Sequence, residues 1–517
     1  MSTDNTSTTE FSKLRTVLWP IHNFELKKFL PMGFMMLCIL FIYTLVRDLK
    51  DTLVVSHAIG GGAETLGFLK LYGVVPSAIL FMIVFVKLAN KLTREKLFYS
   101  IVTFFLAFFV TFGFIIFPAR EYLHMSAETI ANLQSSYPAL HWFIPVIGNW
   151  SYSLFYIFAE LWGSVVLTAL FWQFANEITR VSEAKRFYSL FGFIGQLGLL
   201  ASGTLIITCA SIAKKSASAG VDSFGVNLRY QMGAVLIFGI ALLVTYRWMN
   251  KSVLTDKRFY DPGDIAKKKS KPKMGLGESA KMLFTNKYLL LIAVLVIAYG
   301  ISINLVEGVF KGQIKLAYPD ANDYNKLMGK LSLTTGLLTM GVMLCGANIL
   351  RIFPWRTAAL ITPVFLFCAS LIFFGVIIYE NKMGLNATIM GTSVVMIAVV
   401  TGLIQNAFSK GVKYSLFDST MQMAYIPLSP EEKVKGQAAV SVLAGRLGKG
   451  GGAAIQSTML MIAGGNTPLY KLVDWLAAIV FFVVLMWIFS VINLSTRFEK
   501  LTKAKEEEAR ATENSNS

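Results

Sequence analysis

What most limits this chain is a succession of apolar runs, each near the length that a helix needs to cross a hydrocarbon layer. About 20 apolar residues in a helix span a bilayer, and about twelve such runs recur along the sequence. In the first part they lie at Phe29–Val46, Leu66–Leu88, Leu97–Pro118, Trp150–Ala175, Tyr188–Ala210 and Gln231–Met249. In the second they lie at Tyr288–Phe310, Leu327–Leu350, Ala358–Tyr379, Ala387–Phe408, Val440–Ala463 and Trp475–Leu494. Val440–Ala463 is the weakest, because Arg446, Gly448, Lys449 and further glycines interrupt it. Of the 517 residues 55% are hydrophobic and only 15% charged. A soluble domain carries roughly a quarter charged residues, so lipid is the solvent and an ordinary soluble enzyme is excluded.

The formal net charge is +18. On a soluble protein that excess suggests nucleic acid, whereas in a membrane protein Lys and Arg collect in cytoplasmic loops. An even number of spans puts both ends on one side. About 31 of the 48 Lys and Arg fall in the N-terminus, the even-numbered connections and the tail, against roughly eleven opposite. This predicts a multi-pass protein with both termini cytoplasmic. The densest group, Arg258, Lys267, Lys268, Lys269, Lys271 and Lys273, reads as a topogenic, lipid-facing loop and not as a nucleic-acid site. It divides the chain into a segment 1–27, a six-helix unit 28–249, the basic loop 250–286, a second six-helix unit 287–494 and a charged tail 495–517. The tail run KLTKAKEEEAR reads as a solvated helix fading into disorder. Met1–Pro20 is polar, with Asp4 and Glu10, and has no apolar core of a signal peptide. Cys38, Cys209, Cys345 and Cys368 each sit in an apolar run without metal-site or disulfide spacing, so no metal, cofactor or disulfide is expected.

Ionisable groups inside a membrane helix are costly, so each is a functional candidate. The run RDLKD ends the first span, and Arg47, Lys50 and Val54 share one helical face by their spacing; head-group neutralisation is the alternative. Glu160 lies near the middle of the fourth span with no cation beside it in sequence. An unpaired buried carboxylate costs several kcal/mol, so it is protonated or meets a cation from another helix, with Lys50 and Arg47 as the obvious partners. The seventh span ends INLVEGVFKGQIK, which aligns Asn304, Glu307 and Lys311 at spacings of three and four. Its place in the second half matches that of RDLKD in the first. Gln405 and Asn406 close the tenth span, and Lys410 and Lys413 follow at its cytoplasmic end, where loop chemistry explains the lysines almost as well.

VKGQAAVSVLAGRLGKGGGAAIQ holds Lys435, Arg446 and Lys449 and superficially resembles a phosphate-binding glycine loop. The Walker pattern needs Ser or Thr after GK, and Gly450 stands there. No strand precedes it, which argues against nucleotide hydrolysis. Small residues here favour close helix packing, and Arg446 and Lys449, beside open backbone amides, suit phosphate oxygens. With Tyr43, Phe155 and Tyr156 these groups describe a cavity for an anionic, polyphosphorylated substrate whose base stacks on an aromatic face. Physical reasoning alone reaches an organic-anion transporter.

Several stretches carry the reading further: LRTVLWPIHNFELKKFLPM, VRDLKDTLVV, FAELWGSVVLTALFWQFANEITRVSEAKRFY, YRWMNKSVLTDKRFYDP, IAYGISINLVEGVFKGQIK, SKGVKYSLFDSTMQMAYIPL and VKGQAAVSVLAGRLGKGGGAAIQ. In these the sequence resembles the bacterial and plastidic ATP/ADP translocase family, in a form from an obligate intracellular bacterium. The resemblance implies an all-α integral membrane protein of about 12 transmembrane helices in two six-helix, major-facilitator-like bundles. It further implies exchange of ATP for ADP, with phosphate a further candidate, in the bacterial inner membrane. It places the critical charges at Lys50, Glu160, Glu307 and Lys449. Arg47, Tyr43, Tyr156, Asn304, Lys311, Gln405 and Arg446 complete the expected substrate-binding set. Gly450 stands where the family pattern is expected to have a serine, so a glycine replaces the hydroxyl that a serine would offer to phosphate. Sister activities of such a family are proton-coupled nucleotide import and NAD/ADP exchange. The expected form is a monomer in contact with membrane lipid, with no nucleic-acid partner.

Overall fold

Each long apolar run satisfies its own backbone as a helix, and the polar breaks between runs set where the helices end. In the computed structural model, residues 21–216, 221–256, 259, 285–429, 432, 436–437, 440 and 444–516 are described. Eleven helices among them are long and apolar enough to cross a membrane. Spans 1–6 are Asn23–His57, Thr65–Lys91, Arg94–Ile116, Trp150–Ile178, Arg186–Lys215 and Ser223–Val253. Spans 7–10 are Lys287–Ala317, Ala321–Leu344, Trp355–Met383 and Val394–Ala424, and the last is Leu469–Ala504. The glycine-rich run forms a further helix, Gly445–Ala463, here span 11, which is less apolar than the rest. Of the basic central loop, Arg258 and the lysines from Lys267 to Lys273 lie outside the described residues, as does Lys435.

Capping residues mark the helix ends, where the first amides lack intrahelical partners. Asp222 accepts the amide of Gly225, Asn286 those of Tyr288 and Leu289, and Asp320 those of Asn322 and Asp323. Span 9 stops at Gly384 and span 11 at Gly464, both at positive φ. A short antiparallel hairpin, Thr388–Ile389 with Thr392–Ser393, links spans 9 and 10.

Alternating direction over the twelve helices leaves the start of span 1 and the end of the last span on one face, here the terminal face, and the hairpin on the far face. Several helices widen into π turns: Leu53–His57, Leu69–Val74, Phe112–Ile116, Gly163–Phe171, Met249–Val253 and Lys413–Phe417. Such turns shift helix register by a residue and cluster at functional positions. Aromatic packing fills the first bundle: Phe109 contacts Phe155 and Trp162, while the Trp162 indole donates to the Ile39 carbonyl. The tail does not leave the last span but extends it as one helix, Val473–Asn516.

Candidate functional site

Span 1 carries the centre of the site. Its α-helix runs to Thr52 and continues as a π turn to His57, so RDLKD lies inside the span and not at its head-group end. Asp51, absent from the expected set, proves central. One of its oxygens lies 3.0 Å from Lys50 Nζ, and the other lies 2.9 Å from Lys311 Nζ of span 7. Lys50 also sits 3.0 Å from Glu160 of span 4 and 3.7 Å above the centre of the Tyr156 ring. Glu307 lies 3.7 Å from Lys311 and 3.3 Å from Lys410 of span 10. An alternating chain of charge thus runs Glu160, Lys50, Asp51, Lys311, Glu307, Lys410 across four spans and both halves.

Burial grades along that chain. The side chains of Lys50, Asp51 and Lys311 are each 3% exposed, while Glu160 and Glu307 reach 26% and 22%. Removing an ion from water costs several kcal/mol unless a counter-charge meets it. The buried middle is therefore matched, and the carboxylates toward its two ends are partly exposed.

Other expected residues divide. Arg47 does not meet Glu160: it pairs with Asp48 at 3.1 Å and donates to Ser332 of span 8 at 2.8 Å. Ser332 in turn donates to Asp48 at 2.6 Å. Tyr43 lies 5.8 Å from the Arg47 guanidinium and fits against Gly163, where a Cβ would stand 2.8 Å from its ring. Tyr156 is fully buried with Lys50 on its face, so that face is not open to a base. Phe155 belongs to the bundle core, not the cavity. Asn304 accepts a hydrogen bond from Lys70 of span 2 at 2.8 Å.

Lys410 is no loop residue, because span 10 runs on to Ala424 and holds it against Glu307. Lys413 pairs with Asp418 and lies 4.4 Å from the Tyr414 ring. Gln405 faces Ser370 of span 9 at 3.5 Å, away from the charge chain, and its carbonyl oxygen has no partner among the described residues. Arg446 and Lys449 are exposed. The glycine run is helical, so from Lys449 onward its amides are engaged within the helix and are not open to phosphate. Its glycines serve packing: a Cβ on Gly300 would stand 2.8 Å from the backbone of Gly448.

Polar contacts between the halves gather in the central and far layers. Asn325 of span 8 accepts from Asn227 and Gln231 of span 6 and donates to Thr52 of span 1. On the far face the Trp142 indole donates to the Thr467 carbonyl at 3.1 Å, and the Gly465 amide to the Pro138 carbonyl at 3.2 Å. The Leu469 amide donates to Glu64 at 2.9 Å. Burial pushes the Glu64 carboxyl above the usual carboxylate range, against the opposing pull of that amide.

Residues 4–498 match the family described as TLC ATP/ADP transporter. The chain belongs to that family. Among curated relatives, an ADP,ATP carrier protein 1 of Chlamydia pneumoniae is 47% identical over 502 residues, covering 96% of each chain. An ADP,ATP carrier protein 1 of Rickettsia prowazekii is 44% identical over 501 residues, covering 96% of this chain and 98% of the relative. Among solved structures, a bacterial homologue of the iron transporter ferroportin matches with TM-score 0.60 at 12% identity, over 92% of this chain and all of the other. A D-xylose–proton symporter matches with TM-score 0.51 at 11% identity, over 90% of this chain and 96% of the other. These likenesses show the major-facilitator-like fold expected from the sequence. In this TLC-family transporter, Asp51, a candidate only as part of the RDLKD run, and Lys70 are central residues outside the expected substrate-binding set. Lys70 carries a readable signal, since it is an ionisable group inside the apolar run Leu66–Leu88, whereas Asp51 lies past the apolar run that ends at Val46 and enters the span only because the helix continues to His57.

Proposed function

We propose that this protein is a membrane antiporter that exchanges ATP for ADP by alternating access. The observation that carries the reading is the charge chain joining spans 4, 1, 7 and 10 through buried Lys50, Asp51 and Lys311. It supplies ammonium groups for phosphate oxygens and spans the two halves that must move apart. Family membership and the ADP,ATP carrier relatives support the same substrates.

On this reading the phosphates enter from the terminal face and contact Lys50 and Lys449, relieving Glu160 of its hold on Lys50. Glu307 then trades its lysines in the same way. The base faces Tyr43, whose ring is half-buried. The units 28–249 and 287–494 rock to open the far face, breaking the seal at Glu64, Trp142 and Gly465. Arg446, one helical turn nearer the terminal face than Lys449, guides the anion inward. The positive-charge distribution supports cytoplasmic termini, in the inner membrane of a bacterium that draws on ATP from its surroundings. One ATP carries about one charge more than ADP, so phosphate movement in the same cycle would balance the exchange. The protein works as a monomer in lipid.

The test is uptake of radiolabelled ATP by proteoliposomes holding the purified protein, either preloaded with ADP or empty. Uptake that needs internal ADP is expected. Uptake into empty vesicles that follows an imposed pH gradient would replace exchange with proton-coupled import.

A further inference from the structure

Lys70 differs from the other cations of the central layer. Lys50, Lys311, Lys410 and Arg47 each lie within ion-pair distance of a carboxylate. Lys70 does not, among the described residues: it donates instead to the neutral Oδ1 of Asn304, 2.8 Å away. Its charge still acts on Glu160 and Glu307, so it stands beside the charge chain without being part of it. It is half-buried and sits in the π turn Leu69–Val74. The bond joins span 2 of one half to span 7 of the other.

A hydrogen bond from an ammonium to an anionic oxygen is stronger and shorter than one to an amide. An anion that reaches Lys70 therefore displaces Asn304, whereas at Lys50 or Lys311 it must compete with a carboxylate. From this geometry we propose that Lys70 contacts a phosphate oxygen of the nucleotide, and that the contact releases Asn304 and so unfastens one inter-half link. This rests on the exchange reading above and adds the coupling step. The empty carrier keeps the link, and the loaded carrier exchanges it for a substrate contact. Substrate then favours the rearranged state by differential contact, as any ligand-driven shift requires.

Three variants decide it in the same vesicles: Lys70→Gln, Lys70→Arg and Asn304→Ala. Lys70→Gln can keep an amide bond to Asn304 but loses the charge. The KM for ATP should rise about tenfold or more, as expected for a lost charge-assisted hydrogen bond, and Lys70→Arg should recover most of it. Asn304→Ala frees Lys70, so KM should stay within about twofold while uptake into ADP-free vesicles rises, as the smaller cost of breaking this link predicts. A wild-type KM in Lys70→Gln, or an equal rise in KM in Asn304→Ala, would overturn the proposal. Wild-type vesicles that move no ATP would sink the exchange reading instead. Phosphate contact is then read by the ATP-induced thermal shift: its loss in Lys70→Gln alone supports Lys70, and a wild-type shift overturns it.

Discussion

Replacing Asp51 with asparagine tests whether the centre is held by charge or only by packing. Asp51 bridges two side chains that are each 3% exposed, with Lys50 at 3.0 Å and Lys311 at 2.9 Å. Asparagine has nearly the same volume, so packing survives and the negative charge goes. Removing one partner of a buried ion pair typically costs about 3–5 kcal/mol. A ceiling exists, because a stranded lysine can lose its proton: from a reference pKa of about 10.4 to pH 7 that costs about 4.6 kcal/mol. Lys50 keeps Glu160 as a counter-ion and Lys311 keeps the more distant Glu307, which places the loss near the lower figure. About 3 kcal/mol is more than a hundredfold in the equilibrium between joined and separated halves. The assay is unfolding in detergent of Asp51→Asn, Lys311→Gln and the double variant, beside exchange in vesicles. Because the two residues touch, the double variant should lose less than the sum of the singles by roughly 0.5–3 kcal/mol. Singles that simply add, or an Asp51→Asn protein with wild-type stability and exchange, would refute the reasoning.

Glu160→Gln should reduce exchange strongly but stability little, since Glu160 is partly exposed and Lys50 retains Asp51; a stability loss as large as that of Asp51→Asn would contradict this. Gly448→Leu should disrupt the contact of span 11 with span 7, where even a Cβ meets backbone at 3.1 Å, and overpacking is expected to cost about 3 kcal/mol or more, the upper end of its usual range; yield and melting temperature in detergent read it. The far-face seal should strengthen as pH falls. Burial raises the Glu64 carboxyl above its ordinary value, so the sealed state binds the proton more tightly than an opened one. Its penalty is present above the raised pKa and fades below it. Labelling of a cysteine placed at the far face should slow on acidification, and Glu64→Gln should remove that dependence.

The membrane class, the helix order and the central charges were legible because lipid makes them so: a long apolar run has one stable conformation there, and an ion within it demands a reason. Glu160 and Glu307 stand out on that ground alone, and Lys50 through its place in RDLKD just past the first run. The missing parts depended on helix extent and phase. Span 1 outlasts its apolar run at Val46, and Lys410 lies within a helix that hydropathy ends near Phe408. A π turn rotates the facing of every later residue in its helix, so spacing by three and four does not forecast which neighbour a side chain meets beyond the turn. The glycine run at Gly448–Gly452 was ambiguous for another reason. Glycine permits both an open loop and close helix packing, and only the partner backbone at Gly300 decides between them.

The arrangement also gives a physical reason for exchange over leak. Asp51–Lys311, Lys70–Asn304 and the Ser332 bridge between Arg47 and Asp48 all cross from one half to the other. Separating the halves without substrate strands these groups, and stranded buried charge is costly. On the proposed exchange, a polyphosphate offers oxygens to the cations as the halves part, which offsets that cost only while it is bound. Either nucleotide can do this in either direction, so the loaded carrier crosses in both directions and the empty one stays behind. Selectivity is then expressed at the crossing step: a ligand with too few phosphate oxygens binds, yet leaves a cation uncompensated and fails to cross. An AMP that occupies the site without being exchanged, seen as competitive inhibition with no AMP uptake, is the expected result, and AMP carried as fast as ADP would show that the inter-half ion pairs do not govern the step.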